Sequence, residues 1–255
     1  MKGTWLGQAG VYLVSDGGLA VMIDPYLSDS LEKSHGPAFH REVEIREEYF
    51  TCPLDVLVLT HLHDDHTDFE TLDRLLDRPD PVTVLSNLDV YWALRKRYPA
   101  HHLYNLFERG IEITLGDVLF RAVLAAHSDE RAVGVVLETG GRKIWHTGDT
   151  MFHRDLPAWA GEGVDWMFFP INGWGNNMNA TDACRLVNAV QPRVAVPIHW
   201  DMFTAYGYDP EKFRALFARL CPEREMRLLR NTRRSNCEER PSPAQSWEGR
   251  GSSGP

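Results

Sequence analysis

Metal-binding residue types are concentrated in one segment, Thr60-His61-Leu62-His63-Asp64-Asp65-His66. The run before it is short, apolar and rich in valine, as expected of a buried strand: Asp55-Val56-Leu57-Val58-Leu59. Side chains alternate along an extended backbone, so His61 and His63 point the same way and can share one metal ion. Asp65 and His66 follow in the next turn, where they can serve a second ion. Since functional residues concentrate in loops on rigid scaffolds, the segment predicts a metal site rather than a solvated polar loop.

The composition is that of a globular protein with one large domain or two small ones. The chain has 255 residues, 43% of them hydrophobic, and a formal net charge of -9. This acidic balance argues against nucleic acid as a partner, because phosphate backbones select clustered Lys and Arg. It leaves room for a small anionic substrate, since two divalent ions add positive charge locally.

Nothing in the sequence predicts secretion or membrane insertion. The start of the chain has no apolar segment behind a basic residue, and no apolar run reaches the length of a membrane span, about 18 residues. The four cysteines are scattered and form no CxxC pair. Reduced thiols and a cytoplasmic location are therefore expected.

The order of predicted elements indicates two sheets packed together with helices outside, an α/β (α+β) arrangement in a single domain over 1–230. Strands are predicted over 11–14, 19–23, 55–59, 82–85, 111–115, 118–123, 133–138, 143–146, 166–169 and 194–198. Helices are predicted over 68–78, 87–98 and 211–220, with one more that starts near Thr181 as its N-cap. Residues 231–255 are rich in Ser, Arg, Glu, Pro and Gly, a composition that predicts a disordered tail.

Further ligand types stand where predicted strands end. His127 follows the apolar run 118–126, Asp149 follows the strand that ends near residue 146, and His199 closes the strand 194–198. Each alone is as well explained as an ordinary surface or core group. Together with the histidine segment they favour metal ligation at one rim of the two sheets.

This pattern resembles the ligand set of the metallo-β-lactamase superfamily, from about residue 3 to 205. The resemblance implies a four-layer αββα sandwich with a dimetal site at one edge of the sheets. By position, one ion would be held by His61, His63 and His127, the second by Asp65, His66 and His199, and Asp149 would bridge them. Aspartate at 149, where the true β-lactamases have cysteine, implies another hydrolase. Histidine at 63, where the diiron oxygen reductases have glutamate, argues against redox chemistry.

A narrower resemblance is to the L-ascorbate-6-phosphate lactonases and their relatives. It is carried by residues 4–10 (Thr-Trp-Leu-Gly-Gln-Ala-Gly), 33–36 (Lys-Ser-His-Gly), 146–150 (His-Thr-Gly-Asp-Thr) and 197–201 (Pro-Ile-His-Trp-Asp). It implies a small anionic or lactone substrate, such as a phosphorylated sugar-acid lactone, and a homo-oligomer. The glycine- and asparagine-rich loop 172–179 departs from that subfamily.

Imidazole and carboxylate ligands suit Zn²⁺ or Mn²⁺ in such a site, and Fe as well. Two ions would lower the pKa of a shared water, and the resulting hydroxide would open a lactone or ester. Asp65 is the predicted catalytic residue, as a ligand whose spare oxygen relays a proton to the leaving group. The alternatives are a phosphodiesterase or nuclease with the same dimetal site, and a non-catalytic metal-binding protein.

Six further residues are candidates for contacts with the ligands or the substrate: Asp24, His35, His146, Asn172, Asn176 and Asn177. Asp24 can accept a hydrogen bond from a ligating histidine, or can be a turn residue before Pro25. His146 is expected to support the turn that carries Asp149. The three asparagines can bind a polar substrate or take left-handed backbone conformations in a glycine-rich loop. The pair His101-His102 is expected at the surface.

Overall fold

The computed structural model describes residues 1–98, 100–230 and 246–248, and within them the chain forms two seven-stranded sheets. The first sheet has the order β14 (Ser246–Glu248), β1 (Lys2–Gly7), β2 (Gly10–Val14), β3 (Ala20–Ile23), β4 (Val56–Leu59), β5 (Thr83–Ser86) and β6 (Leu103–Leu106). The second has the order β13 (Glu225–Met226), β12 (Val194–Ile198), β11 (Trp166–Pro170), β10 (Arg142–His146), β9 (Val133–Thr139), β8 (Val118–Leu124) and β7 (Glu112–Leu115).

Seven α-helices complete the described part of the chain. They are α1 (Ser30–His35), α2 (Glu48–Thr51), α3 (Phe69–Leu75), α4 (Leu88–Arg97), α5 (Leu156–Ala160), α6 (Ala180–Val190) and α7 (Pro210–Leu220). None of the helices in these described ranges combines the length and apolar content that a membrane span requires.

Strand β4 shows how the layers are packed. Its residues Val56 and Val58 lie in the core between the two sheets, while Leu57 and Leu59 lie in a second core beneath α3 and α4. Both faces of the strand are therefore buried, which is why the run is apolar throughout instead of alternating. On the other side, α6 and α7 pack their apolar residues against the second sheet. The predicted arrangement of two packed sheets with helices outside is confirmed.

The direction of the strands brings the candidate ligands to one edge of the two sheets. In each sheet three strands are antiparallel to their neighbours and the rest are parallel, so β3, β4, β8, β10, β11 and β12 all end at the same rim. The two sheets are joined there by a hydrogen bond of 3.2 Å from the backbone N–H of Val133 to the carbonyl of Thr60. The residues that directly follow these strands therefore converge.

Four local predictions need correction. Helix α6 is capped by Asn179, whose Oδ1 accepts from the N–H groups of Thr181 (2.9 Å) and Asp182 (3.0 Å), so Thr181 lies inside the helix. Strands β1, β6 and β13 and helix α5 were not predicted, and the region 28–50, expected to be a long loop with a short helix, contains α1 and most of α2. His102 is 2% exposed rather than at the surface, because its ring bonds two backbone groups across a turn. The fourth correction concerns the tail.

Part of the predicted disordered tail is a strand. The backbone of residues 246–248 forms β14, which pairs antiparallel with β1 at the edge of the first sheet. The rest of the predicted tail, 231–245 and 249–255, lies outside the described residues, as does Cys237.

Candidate metal centre

The histidine segment is held at both ends. At its start, the backbone N–H and hydroxyl of Thr60 donate to the two oxygens of Asp24, at 2.8 and 2.6 Å. At its end, Asp68 caps α3 by accepting from the N–H groups of Glu70 and Thr71. Between them the carbonyl of His63 accepts from the N–H of His66 at 3.0 Å, which closes a tight turn. These hydrogen bonds fix the backbone of the loop and thereby the directions of its side chains.

Three imidazoles form the first group of ligand atoms. His63 Nδ1 lies 3.1 Å from His61 Nε2 and 3.1 Å from His127 Nε2. A tetrahedral ion with bonds of about 2.0–2.1 Å holds its nitrogen ligands about 3.3 Å apart, so these spacings fit one shared ion. His61 follows β4 of the first sheet and His127 follows β8 of the second, so the two residues meet only because the sheets pack together at this rim.

Two aspartates and two histidines form the second group. Asp65 Oδ2 lies 3.1 Å from His199 Nε2 and 3.7 Å from His66 Nε2. Asp149 faces both histidines, with Oδ1 3.3 Å from His66 Nε2 and Oδ2 3.2 Å from His199 Nε2. Possible ligand atoms of His61, His66 and Asp149 also lie within 4.8 Å of one another, so Asp149 reaches both groups. All seven residues predicted as ligands are thus brought together.

Two buried atoms in this cluster support a metal ion there. Among the described residues, His66 Nε2 and Asp149 Oδ1 are buried and lie 3.3 Å apart, but neither makes a hydrogen bond of good geometry. A buried polar atom left unpaired costs about 1–3 kcal/mol, so such atoms are retained where they serve another purpose. Neutral imidazole and carboxylate are the donors that divalent transition ions prefer. The residues present therefore fit a metal ion.

Contacts behind the cluster set which ring nitrogen faces inward. His66 donates through Nδ1 to Asp24 Oδ2 at 2.8 Å, and His127 Nδ1 donates to the carbonyl of Asn176 at 3.2 Å. His61 Nδ1 lies 3.0 Å from the Thr60 hydroxyl, which accepts because its own proton goes to Asp24. In His61, His66 and His127 the Nδ1–H is donated in this way, so the Nε2 lone pair of each of these rings is left for a metal.

Charge within the cluster separates the histidines into two kinds. Burial and the neighbouring His66 lower the pKa of His61, and burial lowers the pKa of His127. Burial also opposes the charged form of His199, but the carboxylates of Asp149 and Asp65 outweigh it and raise its pKa to about 9. The same carboxylates raise the pKa of His66 well above its ordinary value. Without a metal, the second group therefore holds protons that a metal must displace.

The pKa values of the two carboxylates, Asp65 and Asp149, are lowered. Burial favours the neutral acid, yet the nearby His66 and His199 lower the pKa of Asp65 and hold that of Asp149 well below its usual range. Both groups are therefore ionised at neutral pH, as metal ligands must be.

The other predicted residues fall into two sets. Asp24, His146, Asn176 and Asn177 support the ligands: Asn177 Nδ2 donates to Asp149 Oδ2 at 2.8 Å. His146 is buried between the carbonyl of Ala9 and the N–H of Gly148, in the turn before Asp149.

The second set, His35 and Asn172, lines a cavity beside the ligands. The Asn172 side chain is buried, and neither of its amide atoms has a hydrogen-bond partner among the described residues.

Gln8 is a site residue that the sequence reading missed. Its side-chain Nε2 lies 2.7 Å from Asp65 Oδ2 and 3.0 Å from His199 Nε2, and its carbonyl accepts from the backbone N–H of His199. The residue is 2% exposed and has a left-handed backbone (φ 50°), which turns the chain between β1 and β2 toward the cluster. Two signals could have found it: Gln8 lies in the segment 4–10 that carries the narrower resemblance, and it is a polar residue between Gly7 and Ala9.

The cavity next to the cluster measures about 340 Å³. The ligands His63, Asp65, Asp149 and His199 form its floor. The remaining lining comes from α1, from the loop 172–179 and from the segment after β12: Leu31, His35, Phe39, Asp64, Asn172, Trp174, Gly175, Asn177, Phe203 and Tyr206. A small molecule in this cavity would lie directly against the candidate metal centre.

Two packed sheets with histidine and aspartate ligands at one rim are the architecture of the metallo-β-lactamase fold. Comparison with known proteins agrees, since a family model described as a Beta-lactamase superfamily domain matches residues 20–200. A UPF0173 metal-dependent hydrolase of Staphylococcus saprophyticus is 30% identical over 232 residues, covering 84% of this chain and 92% of its relative.

Two solved structures have the same fold. Igni18, a metallo hydrolase of Ignicoccus hospitalis, has a TM-score of 0.71 at 20% identity and covers 98% of this chain and 99% of its own. The metallo-β-lactamase fold protein YhfI of Bacillus subtilis has a TM-score of 0.71 at 15% identity, with coverage of 97% and 99%. The chain belongs to the β-lactamase superfamily, in its UPF0173 family of metal-dependent hydrolases.

Proposed function

We propose that this metal-dependent hydrolase opens a lactone or an ester, with two divalent ions, Zn²⁺ or Mn²⁺, in the candidate metal centre. The observation that carries the proposal is the convergence of all seven predicted ligands in one cluster, four of which form the floor of a cavity. When bound, such ions lower the pKa of water toward neutrality and polarise a carbonyl oxygen.

The chain's own residues supply the positioning and the proton transfer. Asp65 is ionised because His66 and His199 lower its pKa, so its carboxylate can accept a proton from the attacking water and return it to the leaving oxygen. Gln8 donates to Asp65 Oδ2 and restricts its rotation. Asn177 does the same for Asp149 Oδ2.

The narrower resemblance to L-ascorbate-6-phosphate lactonases stays a hypothesis about the substrate. A phosphorylated sugar-acid lactone carries a phosphate dianion, and among the described residues no Lys or Arg lines the cavity. A phosphodiesterase with the same centre is the second candidate, and a non-catalytic metal-binding protein the third.

One assay separates the three candidates. The protein, loaded with Mn²⁺ or Zn²⁺ separately, is given a panel of lactones and aryl esters and, in parallel, bis(4-nitrophenyl) phosphate. Hydrolysis of lactones or esters supports the proposal, cleavage of the phosphodiester alone favours the second candidate, and inertness of a metal-loaded protein favours the third. His61→Ala should lower the rate by about 100-fold or more, because several kcal/mol of transition-state stabilisation depend on the centre. His101→Ala, an exposed histidine outside the cluster, is the matched control.

A further inference from the structure

One wall of the cavity is aromatic. Phe39, Trp174 and Tyr206 come from three separate segments, and their rings contact one another. The Phe39 and Tyr206 rings are perpendicular with centroids 5.2 Å apart, and the Trp174 and Tyr206 rings are nearly parallel at 6.0 Å. Trp174 is 58% exposed and Tyr206 36% exposed. Two large aromatic side chains therefore present their surface to the cavity mouth, where a ligand can cover them.

The base of this wall is fixed. Phe203 is 3% exposed and packs edge-on against the buried ring of Tyr26, with centroids 5.6 Å apart, and it also contacts Phe39 at 5.8 Å. These residues belong to a small apolar cluster together with Leu31 of α1. Packing thus fixes the base of the wall, and Tyr206 rests on this base through its ring contact with Phe39. The less that a wall has to be ordered on binding, the more of the contact free energy is left for affinity.

Apart from its histidines, the charged residues of the cavity lining are all acidic. Asp64, Asp65 and Asp149 line the cavity, and no Lys or Arg of the described chain does so. Lys33, on the neighbouring helix α1, is paired with Glu70 outside the lining. Phosphate and carboxylate groups are recognised by Arg, Lys or clustered backbone N–H groups. Beyond the metal ligands, the lining offers an anionic substituent no such cationic side chain, while the neutral amide of Asn172 suits an uncharged polar group.

We propose that the cavity selects an uncharged ester or lactone that carries an aromatic group. The aromatic group lies against Trp174 and Tyr206, and the carbonyl faces the metal ligands at the floor. This substrate class rests on the proposed function, since the placement of the carbonyl assumes hydrolysis at the centre. It differs from the phosphorylated lactone that the sequence resemblance implies.

The test compares matched pairs of substrates on the metal-loaded protein. The first pair is γ-phenyl-γ-butyrolactone and γ-butyrolactone, and the second is glucono-1,5-lactone with and without a 6-phosphate. Burying a phenyl ring against the wall should raise kcat/KM by about tenfold for the first pair. The phosphate should bring no increase in the second pair.

Two variants locate the effect. Trp174→Ala should remove most of the phenyl preference, measured as the ratio of kcat/KM for the phenyl lactone to kcat/KM for the unsubstituted lactone. Trp92→Ala is the matched control, because Trp92 is a similarly exposed tryptophan (56%) on α4 that does not line the cavity. Its phenyl preference should equal that of the wild type.

A binding measurement on metal-free protein makes the two proposals separable. Calorimetry with γ-phenyl-γ-butyrolactam, which is not hydrolysed without metal, should show weaker binding to Trp174→Ala than to the wild type and Trp92→Ala. Hydrolysis of lactones without a phenyl preference, or with a preference for the phosphorylated lactone, would overturn the aromatic selectivity and leave the proposed function standing. Lactam binding that depends on Trp174, with no hydrolysis of any lactone or ester, would support the selectivity and contradict the proposed function.

Discussion

Replacing Asp24 by Asn should weaken metal binding although Asp24 is not itself a predicted ligand. The Asp24 carboxylate is fully buried and accepts three hydrogen bonds, from the N–H and hydroxyl of Thr60 and from Nδ1 of His66. Asn tolerates the left-handed backbone at this position (φ 42°), so the substitution changes the hydrogen bonding more than the chain path.

The loss of stability in Asp24→Asn can be worked out from the hydrogen bonds of Asp24 Oδ2. It accepts from both the Thr60 hydroxyl (2.6 Å) and His66 Nδ1 (2.8 Å), and an amide NH₂ in its place faces two donors. Two hydrogen bonds to a charged acceptor are lost, which should lower the free energy of unfolding by about 3 kcal/mol. Loss of the partner that orients a ligating histidine should reduce metal affinity by about 10–100-fold.

The assay combines urea unfolding in chelator with metal competition against a fluorescent chelator. Asp55→Asn is the control, since Asp55 accepts from the N–H of Ala20 at the opposite end of β4, away from the cluster. It should lower stability slightly and leave metal affinity unchanged. Wild-type metal affinity in Asp24→Asn would refute the assigned role of Asp24.

Three further predictions follow from the contacts described. Metal affinity should rise with pH, because the carboxylates raise the pKa of His199 to about 9 and also raise that of His66, and protonated rings must release their protons before they bind a metal. Calorimetry at neutral pH in two buffers of different ionisation enthalpy should detect proton release on metal binding, and the absence of release would contradict this. Gly148→Ala should lower the melting temperature and the metal content together, since φ is 62° and a Cβ would lie 2.7 Å from a backbone oxygen of β9; an unchanged melting temperature would contradict this. His102→Ala should lower the free energy of unfolding by about 1–3 kcal/mol with metal content unchanged, because two backbone groups lose their partner, whereas His101→Ala should have little effect.

The clustering of the candidate metal ligands could be predicted from sequence because these residues follow predicted strands. His127, Asp149 and His199 each follow a predicted strand within four residues, and strands of one direction end at one rim. His61 and His63 were predicted to share one ion, and their ring nitrogens lie 3.1 Å apart, although the chain bends after His61. For these residues, the strand pattern of the sequence is enough to predict that they meet at one rim.

The residues that sequence reading missed depend on contacts between distant segments. Gln8 reaches Asp65 and His199 across 57 and 191 positions, and no periodicity encodes such a contact. The aromatic wall is likewise assembled from three distant segments, which carry Phe39, Trp174 and Tyr206. A cytoplasmic location and assembly into homo-oligomers stay predictions from sequence.

The number and position of bound ions bear most directly on the dimetal centre. Crystals of the Mn²⁺-loaded protein, measured for anomalous scattering, should show two peaks in each chain. One peak should lie at bonding distance, about 2.0–2.2 Å, from His61, His63 and His127, and the other from Asp65, His66 and His199, with Asp149 between them. A single peak, or peaks away from these side chains in a protein that hydrolyses lactones, would contradict the two-ion mechanism.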